Sequence, residues 1–273
     1  MNGSWNGSWN GSWWPVVAVF GVAIGLCACH AAPDIVASSC IGHLGGDHGT
    51  DAGLSQGLVA FYSFDQAAGA TLPDQSAKNN NAILVTGTGG TGGTSFVTGK
   101  IGNALQLTAA SEGYAALPAG ILANACEVTI AAWVSIKTQV NYQRVWDFGW
   151  DTTVYMYLTT SDAIRMPRFG ISIAGNGSHE FGIDGQTTLP VYEWHHLAVV
   201  LGPLGVFLYV DGLQAGSDAT ITLRPGDLGS TPHNFIGRSQ FSIDAYFDGA
   251  IDDFRVYERA LSPREIQTLF TGA

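Results

Sequence analysis

Two carboxylates, Glu180 and Asp184, stand four residues apart in the segment EFGID. Paired acids carry out glycoside hydrolysis, one donating a proton while the other attacks the sugar or activates water. On a strand, a spacing of four puts the two about 13 Å apart, too far for either glycosidase geometry. The sequence holds no Gly-x-Ser-x-Gly elbow, no HExxH and no CxxC. Nucleophilic, zinc and dithiol chemistry therefore lack their usual residues. The chain is expected not to be an enzyme, with a glycan-active hydrolase kept as an alternative.

Residues suited to recognition are better represented. Sugars are bound by ring faces that stack on them and by planar polar groups that bond their hydroxyls. Tyr142, Arg144, Trp150 and Tyr155 offer both in one stretch. Trp146, Phe148 and Trp150 alternate along VWDFGW and share a face,. That face is expected to be core, which leaves Trp150, at the strand end, as the ligand candidate. His43, Asp47, His48 and Asp51 resemble a metal cluster, but they lie in an aperiodic stretch that reads as a solvated tether,. His195 and His196 are consecutive strand residues, so they point to opposite faces and cannot act as one ligand pair,.

The elements that must position these groups are strands. LVAFYSF, from Leu58, has the β-branched and aromatic content of a first strand,. Further strands are expected at 104–108, 128–136, 144–149, 154–159, 168–173, 179–183, 195–201, 206–210, 234–237 and 250–257. Asp211-Gly212 after VFLYV predicts a tight hairpin, and TGTGGTGGT at 86–94 predicts a loop,. Trp133 and Trp194 are expected to anchor the core,. One helix is predicted at the end: Ser262 as N-cap, Pro263 at the first position, Glu265 completing a capping box, and Gly272 stopping it,. A strand-rich chain closed by one short helix reads as a β-sandwich rather than an α/β enzyme.

Of 273 residues, 46% are hydrophobic and only 12% charged, with a net charge of −11. An acidic chain is unsuited to the phosphate backbone of nucleic acid and compatible with a surface protein or cation binding. At the N-terminus, NGSW repeats from Asn2 to Trp13 and an apolar run follows from Val16 to Leu26. That run is too short to span a bilayer and has the length of a signal-peptide core. Leu26-Cys27-Ala28-Cys29 looks like a lipobox, with Cys29 the residue to be lipidated, although no Lys or Arg precedes the run. The expected organisation is a signal peptide of lipoprotein type at 1–29, a flexible linker at 30–56 and one domain at 57–273. Export to a bacterial outer membrane or cell surface is expected, with a secreted or periplasmic form as the alternative. The only membrane contact is then the lipid anchor. Cys40 and Cys126 then remain as a pair able to form a disulfide, or as two unrelated thiols,.

Six segments in order resemble a known family: GKIGNALQL (99–107), VTIAAWV (128–134), WHHLAVV (194–200), LYVDG (208–212), FIGRS (235–239) and the closing FDGAIDDFRVYERALSPREI. They are similar to a laminin-G-like domain of the concanavalin A-like lectin and glucanase superfamily. The resemblance implies an all-β, two-sheet antiparallel jelly-roll sandwich from about Gly57 onward. It also implies an exported, non-catalytic binding module for a glycan or a cell-surface protein. A purely structural or adhesive domain is the alternative. Hydrolases of that superfamily carry an E-x-D-x-x-E pattern that is absent here. Related jelly rolls often hold a structural Ca²⁺, which the resemblance places at Asp253 with Asp65 and Asp74. Calcium takes six to eight hard oxygens, which carboxylates and loop carbonyls supply.

Overall fold

The computed structural model describes residues 53–65, 69–87, 94–175 and 179–272. The expected signal peptide, Cys29, Cys40, the His43 to Asp51 group and the linker up to residue 52 lie outside the described residues.

In chain order the strands begin β1 (Leu58–Tyr62), β2 (Thr71–Leu72), β3 (Ala82–Val85), β4 (Thr94–Thr98), β5 (Asn103–Leu107), β6 (Tyr114–Leu117), β7 (Val128–Ile136) and β8 (Arg144–Gly149). They continue as β9 (Tyr155–Thr159), β10 (Arg168–Ser172), β11 (Phe181–Asp184), β12 (Trp194–Gly202), β13 (Gly205–Val210), β14 (Leu213–Asp218), β15 (His233–Ile236) and β16 (Gly249–Tyr257). Helix α1 (Pro263–Thr271) closes the chain. One sheet runs β14-β13-β12-β7-β16-β5-β4, with β1 on the C-terminal half of β16. The other runs β11-β10-β9-β8-β15-β6-β3-β2. The strand pairs are antiparallel, as the jelly-roll expectation requires.

The alternation of side chains builds the core between the sheets. Ile130, Ala132, Val134 and Ile136 of β7 face Trp146, Phe148, Phe169 and their neighbours. Burying each Val, Ile or Phe side chain among them contributes about 1.5–3 kcal/mol. Trp133, on the odd side of β7, departs from expectation. The two-residue period turns it to the opposite face, where its ring meets His196 at 5.3 Å and Phe270 of α1 at 5.5 Å,. Trp194 opens β12 and is only half-buried, so it is no core anchor either.

The closing elements follow the sequence closely. Ser262 Oγ accepts from the Glu265 amide while the Glu265 carboxylate accepts from the Ser262 amide, and Gly272 caps the helix at φ 68°. Asp211 and Gly212 take φ 50° and 77°, the left-handed pair of a type I′ hairpin,. The linker gives way before residue 57: Arg259 donates to the carbonyls of Gly53 and Gln56, and Leu54 packs beside α1.

Candidate functional site

The pleat that buries Trp146, Met156, Leu158 and Phe169 sends Arg144, Asp147, Tyr155, Tyr157 and Arg168 to the opposite face of β8, β9 and β10,. Arg144 pairs with Thr159 and Trp146 with Leu158, so Val145 is a bulge residue. Bulges re-aim side chains in this way. Two glycines clear the neighbouring floor. A Cβ on Gly170 would stand 2.6 Å from a Tyr157 ring carbon and 2.9 Å from the Glu180 carboxyl carbon. On Gly182 it would stand 2.6 Å from Arg168 Nη2.

The result is a cleft of about 380 Å³. Tyr155, Tyr157, Arg144 and Arg168 come from the strands, and Tyr142, Asp162, Glu180, Phe241 and Asp244 from the flanking segments. The Tyr155 and Tyr157 hydroxyls donate to Glu180 at 2.9 and 3.0 Å. Arg168 bonds Glu180 at 3.1 Å and Asp184 at 2.7 Å. The two acids thus converge on one guanidinium instead of standing about 13 Å apart as strand spacing suggested. Side-chain reach overrides backbone separation, because Arg168 lies directly across from Asp184 on the neighbouring strand. The Glu180 carboxylate thus accepts from two tyrosine hydroxyls and from the Arg168 guanidinium.

Arg144 is the buried centre. Its guanidinium carbon lies 3.6 Å from the centre of the Tyr157 ring, Nη2 is 3.0 Å from Asp244, and Nε is 3.4 Å from Asp147. It is 3% exposed, and its Nε and Nη1 have no hydrogen-bond partner. Asp147, beneath it, is fully buried; its Oδ2 accepts from the Gln240 amide at 3.1 Å and its Oδ1 accepts from nothing. Burial pushes the Asp147 carboxyl up to about 7, against the pull of Arg144. Burial also raises Asp244, and it raises both tyrosine hydroxyls.

Of the residues expected to bind ligand, Tyr142, Arg144 and Tyr155 meet in this cleft. Trp150 does not line it. It sits beyond the far end of β8, 37% exposed, and its indole N–H donates to the Leu228 carbonyl at 2.9 Å. Trp146 and Phe148 are core, as expected. Sequence reasoning missed Tyr157, Asp162, Arg168, Phe241 and Asp244, and met Glu180 only as a discarded catalytic acid. Tyr157 was findable, since it shares a face with Tyr155. Phe241 and Asp244 lie in an aperiodic loop and carry no such signal.

The three acids expected to hold calcium serve separate ends. Asp74 organises a loop, accepting from the amides of Phe61, Ser76 and Asn80 and from the Ser76 hydroxyl. Burial works against its charge, yet these bonds hold its carboxyl below the usual range. Asp253 is a bulge residue at φ 50° whose carboxylate pairs with Arg255 at 2.8 Å. Asp65 accepts from the Asn103 amide at 2.7 Å. Among the described residues, no three Asp, Glu, His or Cys side chains are grouped to hold a metal. The neighbour Asp252 is different: it is fully buried, its Oδ2 accepts from the Ile101 amide at 2.8 Å, and its Oδ1 has no partner. Burial, with Asp253 adjacent, pushes it up to about 6. Asp65 and Asp252 therefore hold the same turn, where a Cβ on Gly99 would strike Asp252 and one on Gly102 would strike Asp65.

His195 and His196 point apart as expected, His195 to Asp211 at 2.9 Å and His196 to Trp133. Cys126 is disulfide-bonded, and Cys40 lies outside the described residues. No helix among the described residues is long and apolar enough to cross a membrane.

Known proteins share this architecture. A segment 35% identical over 82 residues occurs in usherin of Rattus norvegicus, covering 29% of this chain and 2% of that protein. Domain 4 of AbnA, an extracellular GH43 arabinanase of Geobacillus stearothermophilus, solved with arabinotriose, has a TM-score of 0.65 at 22% identity, covering 78% of this chain and 97% of that one. A Trypanosoma rangeli sialidase in complex with sialic acid has a TM-score of 0.58 at 20% identity, over 78% of this chain and 32% of the sialidase. The binding domain of Paraclostridial Mosquitocidal Protein 1 has a TM-score of 0.58 at 16% identity, over 81% and 53%. The laminin-G family model described as the concanavalin A-like lectin/glucanases superfamily matches residues 109–267, and the chain belongs to that family.

Proposed function

We propose that the chain is a non-catalytic carbohydrate-binding module and that the cleft over β8 to β11 holds a neutral glycan. The observation that carries this reading is Arg144: a buried guanidinium against a tyrosine ring, at the wall of a cleft, with Nη1 unpaired and Nε held only by its 3.4 Å ion pair to Asp147. Unpaired buried donors are costly, and sugar oxygens are natural acceptors for them. Tyr142 and Phe241 offer rings at the mouth for stacking,. AbnA domain 4, of which the match covers 97%, was solved with arabinotriose.

Charge decides the class of sugar. Arg168 is committed to Glu180 and Asp184, and Arg144 to Asp244 and Asp147. Neither cation is left to neutralise a sugar carboxylate, and Asp162 adds a further acid. The sialidase neighbour is described with an acidic sugar; this cleft favours hydroxyls. Hydrolysis is not assigned, because Glu180 and Asp184 are tied to Arg168. Calorimetry with neutral oligosaccharides is expected to give binding that Phe241→Ala weakens by about tenfold, the loss of one ring contact of about 1.4 kcal/mol. Tight binding of a sialylated or uronic oligosaccharide with no neutral binder would overturn the neutral assignment. Capture of a protein partner with no glycan binding would favour the adhesive reading.

We also propose a structural Ca²⁺ at the turn 99–103, with Asp65 and Asp252 as carboxylate ligands in place of Asp74 and Asp253. The orphaned Asp252 Oδ1 and the glycine-cleared turn support it,. When bound, the ion would supply charge balance and rigidity at the junction of β5 and β16. Added Ca²⁺ is expected to raise the melting temperature of the wild-type chain and to leave Asp252→Asn unmoved. An identical melt in calcium and in chelator would refute the site. Export with a signal at 1–29, lipidation at Cys29, a linker over 30–56 and a Cys40–Cys126 disulfide complete the proposal, and intact mass with non-reducing peptide mapping tests them.

A further inference from the structure

The Arg168 wall of the cleft has a second side. Gly182 and Asp184 of β11, which seat that guanidinium, also line a trough of about 500 Å³ whose opposite bank is β14. Among the described residues β11 pairs only with β10, and β14 only with β13, so each is the edge strand of its own sheet. Edge strands present a row of unpaired backbone donors and acceptors. Here the two edges meet at the same trough, brought close by Gly216, where a Cβ would stand 2.6 Å from the Asp184 carbonyl oxygen. Gln186, Gln214 and Ser217 add amides and a hydroxyl, with the Gln214 amide donating to Ser217 at 3.1 Å. The charged side chains of the trough are Asp184 and Asp218, and no Lys or Arg lines it.

We propose that this trough is a second subsite of the glycan site, so that a linear neutral chain bound in the cleft continues over Arg168 into the seam between the sheets. The proposal rests on the carbohydrate reading of the cleft. Three observations select this occupant. Arg168, which lines the cleft, bonds Asp184, which lines the trough, at 2.7 Å, so the two depressions adjoin at that pair. Each has the volume of a small-ligand site, so together they take a chain longer than either alone accommodates,. The trough is acidic and rich in amides, hydroxyls and free backbone edges, which suits uncharged hydroxyls and repels anions,. Selectivity for internal stretches of a chain follows, because a site open at both depressions does not require a chain end.

The test is calorimetry on the full chain with linear arabino-, xylo- and cello-oligosaccharides of three and six residues. Whichever series binds is expected to gain about tenfold in affinity from three to six residues, the yield of one or two extra hydrogen bonds. The double variant Gln214→Ala, Ser217→Ala changes surface positions; it is expected to abolish that gain and leave the three-residue affinity and the melting temperature unchanged. Equal affinity for both lengths, or equal loss for both lengths in the double variant, overturns the trough while sparing the cleft. Failure of wild type to bind any of these sugars, with the fold intact by circular dichroism, overturns the cleft reading and the trough with it.

Discussion

Arg144 and Asp147 set the character of the cleft face at the scale of single residues. A buried ion pair whose oxygen and nitrogens are incompletely bonded is a costly arrangement, and groups left in that state are candidates for contact with a ligand,. The Asp147 carboxyl is raised to about 7 by burial. Between about pH 4 and 7 the folded chain therefore keeps a proton that the unfolded chain has released, and stability falls as pH rises through that window. Denaturant titrations at pH 5 and 7.5, without calcium, are expected to give a smaller fall for Asp147→Asn than for wild type. Matching slopes would count against the burial of an ionisable Asp147. Asp74 and Glu265 are shifted downward and act in the opposite direction, with their loss confined to lower pH. Tyr142, Arg144 and Tyr155 were legible in the sequence because aromatic and planar cationic types clustered beside a strand. Trp150 carried the same type signal, yet its position past Gly149 gives it to the Leu228 carbonyl.

Most of the framework was visible in the sequence at the scale of elements. β7 and β8 occupy their predicted spans, and the helix has its predicted caps. Replacing Ser262 by Ala removes the amide acceptor at the N-cap, and a loss of about 1 kcal/mol in denaturant unfolding is expected. Strands β2, β3, β4 and β6 were not foreseen, since runs of two to five residues are too short to show a period,. Local distortions were also invisible. The bulge at Val145 aims Arg144, and the bulge at Asp253 turns that side chain to Arg255 and leaves Asp252 inward. A bulge depends on pairing with a partner strand, so a reading along one strand singled out Asp253 and did not see that its neighbour Asp252 is the buried acid,. The same reasoning explains Trp133: its strand was predicted, while the face it joins is decided by the helix that later covers it.

Across the whole molecule, the interior and the cleft face are made by the same alternation. The residues of β8, β9 and β10 that hold the sandwich together alternate with those that line the cleft. Trp146→Ala, which empties the middle of the core, is expected to cost about 3–5 kcal/mol in chemical denaturation, against little for Phe241→Ala at the mouth. Near-equal costs would contradict the assignment of the two faces. The sandwich is shared by enzyme-associated domains and binding domains, so its function has to come from the cleft,. The measurement that tests this most directly is calorimetric titration of wild type and Phe241→Ala with neutral and acidic oligosaccharides at neutral pH. The account predicts saturable binding of a neutral oligosaccharide, weakened about tenfold by the substitution with the melting temperature preserved. Binding of acidic sugars alone, or neutral binding untouched by loss of the Phe241 ring, would contradict it.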